Sequence, residues 1–145
     1  MTAFRFRLER VLEWRRTQLE LAEARFKQQA AALGALDRMR AETEASGIRA
    51  EIEVRRQSRV AGRDLEALGH FRLRVKSEET RIAGLRVAAA AEYAVRQKGM
   101  LEARRRVRLL ERLRERRLAE WEEARDRELE ELASESYLAR WNRRE

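Results

Sequence analysis

The chain has 145 residues, of which 41% are charged and 43% hydrophobic, with six glycines, no proline and no cysteine. The lack of cysteine excludes disulfides, thiolate metal sites and thiol chemistry. Alanine, arginine, glutamate and leucine dominate, a composition of long helices and coiled coils rather than of a mixed globular core. The net charge of +8 rests almost wholly on arginine, with lysine only at Lys27, Lys76 and Lys98.

The N-terminal stretch Phe4-Arg5-Phe6-Arg7 is broken by charge at once, unlike a signal peptide. No apolar run approaches the roughly 20 residues needed to cross a bilayer. The expectation is a cytoplasmic protein. From Leu12 onward the pattern becomes a seam: Leu12, Leu19, Phe26 and Leu33 recur every seven residues, with Arg15, Ala22, Gln29 and Leu36 between them. That spacing lays a narrow apolar stripe along one side of a helix, which then needs a partner helix. The first helix is expected over about residues 4–56, with Gly47 as a tolerated weak point.

The seam lapses between Gln57 and Asp64, where the main turn is expected, at about residues 57–64. Gly62 suits the residue after a helix C-terminus, and Asp64 can cap the helix that follows. The second helix is expected over about residues 64–140. Its seam runs through Leu68, Phe71, Val75, Ile82, Leu85 and Ala89. Folding back at this turn brings the region of Leu12 near that of Leu110. The expected fold is therefore all-α, an elongated two-helix antiparallel coiled-coil hairpin in one domain with an overhanging C-terminal helix.

Polar residues interrupt both seams at Arg15, Gln29, Glu78, Glu92 and Arg96. They lower stability but can fix register and orientation. Toward the C-terminus the beat lengthens, because Val107, Leu118 and Leu129 are eleven residues apart, as are Leu110, Trp121 and Leu132. An eleven-residue repeat gives a nearly straight or slightly right-handed stripe.

Catalysis finds little to work with. His70 is the sole histidine, and carboxylates alternate with arginines along helix surfaces, where they are ordinarily solvated ion-pair partners. The Gly-rich phosphate loop of an ATPase is missing. The expectation is a non-enzymatic protein without cofactor, metal or small-molecule substrate. Arg104, Arg105, Arg106 and Arg108, followed by Arg112, Arg114, Arg116 and Arg117, spread around the whole helix rather than lining one face. No aromatic residues are interleaved for stacking on single strands, so direct nucleic-acid binding is not expected. This basic collar, followed by an acidic run from Glu120 to Glu135, suits a charged protein ring or groove. Phe4, Phe6, Trp14, Trp121, Tyr137 and Trp141 gather toward the chain ends and suggest a docking tip.

The opening Phe4-Arg5-Phe6-Arg7-Leu8-Glu9-Arg10-Val11-Leu12, with Arg15-Arg16 and Glu20-Leu21-Ala22, resembles the N-terminal signature of the FliJ family of flagellar type III export proteins. The length, hairpin pattern, basic second helix and overhang resemble that family too. The resemblance implies a central-stalk-like subunit that inserts into the hexameric flagellar export ATPase and promotes its assembly and activity. It also implies contact with the cytoplasmic domain of the membrane export gate and with export chaperones, peripheral to the inner membrane. Stalk proteins of virulence-type secretion systems are similar, and a generic basic coiled-coil adaptor or nucleic-acid-associated protein is the rival reading. The family's gate-contact stripe falls on Phe71, Val75, Glu78 and Ile82. Phe71 matches it in type and Val75 is similar, whereas Glu78 and Ile82 depart from the family's small residue and histidine. The ring-binding set implied at the terminal end is Phe4, Leu8, Leu12, Arg117, Trp121 and Arg125.

Overall fold

A computed structural model describes residues 2–143. It holds two helices, α1 (Glu9–Arg56) and α2 (Gly62–Trp141), and no strand among the described residues. Contacts divide the chain into two compact units, one made of Met1–Glu20 with Glu102–Glu145 and the other of Leu21–Leu101. In each unit a piece of α1 packs antiparallel against a piece of α2, so the fold is the all-α helical pairing expected.

Within the unit Leu21–Leu101 the seam is thin but continuous. Ala22, Phe26, Leu33, Leu36, Gly47 and Val54 of α1 are half-buried, and Ile82 of α2 is 1% exposed. Register is set by polar as well as apolar contacts. Gln29 Nε2 donates to the Ala89 carbonyl oxygen at 3.0 Å. That carbonyl belongs to a helix interior and has a second lone pair to offer, and the small Ala89 side chain lets the amide approach. One turn away the rings of Phe26 and Tyr93 lie 5.0 Å apart between centroids. Arg86 to Asp37 at 2.6 Å and Arg72 to Glu51 at 2.9 Å carry the same antiparallel register toward the reversal. A β-carbon on Gly47 would sit 3.4 Å from Val75 Cγ1, so Gly47 is a close-approach point of the seam.

Two seam assignments change. Leu85 is 44% exposed, and Arg86 takes its place half-buried on the seam, held by Asp37. Glu92 is exposed and pairs with Arg96 at 2.8 Å, leaving Tyr93 on the seam. The half-buried or buried positions of α2 run Glu78, Ile82, Arg86, Ala89, with two successive four-residue steps. This is an eleven-residue interval inside a seven-residue pattern, and it locally unwinds the supercoil.

The reversal is also built differently. Residues 57–61 lie outside the helices, Gln57 N donates to the Val54 oxygen at 3.3 Å, and the Ala61 oxygen accepts from Asp64 N and Leu65 N. Ala61 therefore holds the cap position, Gly62 opens α2 rather than ending α1, and Asp64 falls in the first turn. No described residue has positive φ, so the turn needs no left-handed glycine. Arg55 and Arg56 in the last turn of α1 and Asp64 in the first turn of α2 have the signs that helix dipoles favour.

In the terminal unit, Leu12 is 0% and Val107 5% exposed. Arg16 reaches Glu111 at 3.2 Å and Arg114 reaches Glu9 at 3.1 Å, which sets Leu12 within a turn of Leu110, as its spacing predicts. α1 begins at Glu9, five residues later than the sequence expectation of about residue 4. The reason lies in Phe4-Arg5-Phe6-Arg7. Phe4 and Phe6 are half-buried while Arg5 and Arg7 are exposed, the two-residue alternation of an extended segment rather than of a helix. At the other end, every described side chain beyond Arg125 is exposed. The expected overhang is thus α2 continuing past the N-terminal segment within this unit.

Candidate functional site

The terminal unit carries a broad concavity. It encloses about 1090 Å³ between the N-terminal segment and α2, lined by residues 2–8 together with Leu113, Arg117 and Trp121. The extended segment runs beside α2 instead of coiling, so its aromatic side chains can reach one face of that helix. Phe4 and Trp121 meet with ring centroids 6.1 Å apart at 55°, a tilted arrangement favoured by the ring quadrupoles. The guanidinium of Arg125 lies 5.3 Å from the Trp121 ring centre, and a cation over indole is attracted to its face. Arg117 closes the far wall and donates to Glu120 at 3.0 Å.

Of the six ring-binding residues implied by the resemblance, four line this cleft: Phe4, Leu8, Arg117 and Trp121. Arg125 stands against Trp121 one turn on. Leu12 is separate, being fully buried in the seam and outside the cleft's lining. The other terminal aromatics disperse. Trp14 is 53% exposed with Arg15 over its ring, and Tyr137 and Trp141 pair with each other at 6.5 Å. Of the six aromatics expected at a docking tip, Phe4, Phe6 and Trp121 are the ones that line the cleft. Phe6 also lines the cleft although it is not in the ring-binding set, and its two-residue spacing from Phe4 is the sequence signal for that.

The gate-contact stripe divides in the same way. Phe71, Val75 and Glu78 line a shallow hollow of about 330 Å³ with Glu42, Thr43 and Ser46. Ile82 is buried beneath the neighbouring seam and cannot face a partner. Phe71 is covered on one side by Arg74, 5.6 Å from its ring centre. A hydrogen bond from Arg81 holds the Glu78 carboxyl below its ordinary 4.5, against a smaller opposing effect of desolvation. A hydrogen bond from Arg86 likewise lowers Asp37. Both carboxylates stay charged at neutral pH; of the two only Glu78 lines the hollow, which therefore sets Phe71 and Val75 beside fixed charge.

Among the described residues no group of three or more His, Cys, Asp or Glu side chains could hold a metal ion, and no helix is long and apolar enough to cross a membrane. Comparison with protein-family models, with curated proteins and with solved structures finds no match.

Proposed function

We propose that this chain is a non-enzymatic subunit of a bacterial flagellar type III protein export apparatus, of the stalk type that the FliJ resemblance implies. Its terminal unit inserts into the hexameric export ATPase and promotes ring assembly and activity. Its other unit contacts the cytoplasmic domain of the export gate, and the chain also meets export chaperones. It works at the cytoplasmic face of the inner membrane, held there by protein partners.

The observation that carries the reading is the cleft. Residues distant in sequence that the ring-binding set groups together (Phe4, Leu8, Arg117 and Trp121) share one depression. Aromatic side chains beside arginine in a concave surface are the usual anchors of protein interfaces. The test is stimulation of the purified export ATPase by the full chain. Phe4→Ala with Trp121→Ala should abolish most of the stimulation, while Phe71→Ala with Val75→Ala should retain it and lose binding to the gate domain. Full stimulation by the Phe4/Trp121 variant would sink the ring assignment. Loss of helicity in the Phe71/Val75 variant would assign that hollow to packing instead.

A further inference from the structure

Eight arginines stand between residues 102 and 117 of α2, and by position alone they encircle the helix. Their partners sort them. Arg106 pairs with Glu102, Arg114 with Glu9 and Arg117 with Glu120, at 2.8, 3.1 and 3.0 Å. Arg104 is engaged as well. Arg105, Arg108, Arg112 and Arg116 are exposed and have no ion-pair or hydrogen-bond partner among the described residues. At about 100° per residue these four fall within an arc of roughly 80°, with the four engaged arginines on the opposite side. The free arginines thus form one stripe, advancing about 16 Å in steps of three, four and four residues.

Like charges at these spacings destabilise a helix, so the stripe does nothing for the fold that presents it. It is turned away from the cleft, since Leu113, Arg117 and Trp121 occupy another face of α2. Leu109, 56% exposed, stands at the edge of the arc. Glu115 borders the stripe, and Glu123 lies on the same arc beyond its end. A nucleic-acid backbone running along this face would meet both carboxylates, would gain nothing from Leu109 and would find no aromatic side chain for stacking. A helix with carboxylates three or four residues apart matches the rise of the stripe. Guanidinium groups bind such carboxylates in bidentate fashion.

We propose that Arg105, Arg108, Arg112 and Arg116 form a docking surface for an acidic helical segment of a partner protein, one with an apolar residue that covers Leu109. The proposal does not rest on the cleft. The test uses the full chain and a labelled helical peptide carrying glutamates at three- and four-residue spacing around one leucine, with binding read by fluorescence anisotropy. The peptide should bind, and binding should weaken as salt is raised. Replacing all four arginines by glutamine should weaken it by about tenfold or more. The thermal midpoint of that variant should hold or rise as repulsion is removed. Phe4→Ala with Trp121→Ala should bind the peptide as the natural chain does. Unchanged affinity in the glutamine variant would overturn the proposal, as would a lowered thermal midpoint or loss of binding in the cleft variant. Tighter binding of duplex DNA or of anionic lipid vesicles than of the peptide would also overturn it.

Discussion

Among the described residues Leu12 and Ile82 are the most completely withdrawn from water, one in each unit. A two-helix seam has no third layer, so most of its apolar residues keep one flank in solvent and contribute only part of their transfer free energy. Stability is then concentrated where enclosure is complete. Ile82→Ala should cost about 2–5 kcal/mol, the range for truncating a buried aliphatic residue, as measured by urea denaturation followed by helical circular dichroism. Leu73→Ala, at a residue 67% exposed in the same helix, should change stability by less than about 0.5 kcal/mol. Equal costs at the two sites would mean that the seam is far less selective than its burial pattern. The same contrast explains why Ile82 and Leu12 do not belong with the surface residues the resemblance pairs them with. Heptad spacing tells which side of a helix a residue is on, and on that side the best-placed residue is the least accessible.

Helix α2 combines strong helix formers with interior glycines, and none of these glycines is a close-approach point as Gly47 of α1 is. Gly84 has no atom of another segment within 4 Å of where a β-carbon would stand, so it only lowers helix propensity. Gly84→Ala should therefore stabilise the chain by about 1 kcal/mol, read as a raised urea midpoint with unchanged slope; a loss of stability would reveal a contact at Gly84 that the fold does not show. The two helices and their antiparallel register were legible in the sequence because seven-residue apolar spacing is a long, redundant signal. Its local failures were not legible. Leu85 and Arg86 compete for one seam position, and the choice depends on Asp37, nearly fifty residues away in sequence but 2.6 Å away in space. The start of α1 departs from the sequence expectation for a related reason. Phe4 and Phe6 are apolar enough to continue a helix, yet Trp121 and Leu113 reward an extended path, and those partners lie more than a hundred residues on. The cleft was half legible: its residue types were visible, while their convergence needed that extended segment.

For the molecule as a whole, the remaining question is whether the C-terminal stretch of α2 acts through its contacts with the N-terminal segment or through its own exposed surface. The structure gives a boundary at which the two separate. Leu118, Trp121 and Arg125 are half-buried, and every described residue after Arg125 is exposed. Removing residues 126–145 takes away no buried or half-buried side chain among the described residues, so stability from the urea midpoint should shift by less than about 1 kcal/mol. Removing residues 118–145 takes Trp121 from beneath Phe4 and opens the cleft, and losing this half-buried aromatic contact should cost about 1–3 kcal/mol. Stimulation of the export ATPase then distinguishes the surfaces. If the cleft is the docking element, the chain ending at Arg125 retains stimulation and the chain ending at Arg117 loses it. If the shorter truncation already abolishes stimulation while leaving stability intact, the exposed face with Leu129, Leu132 and the Tyr137–Trp141 pair is the docking element. The assignment of ring contact to Phe4, Leu8, Arg117 and Trp121 would then fall.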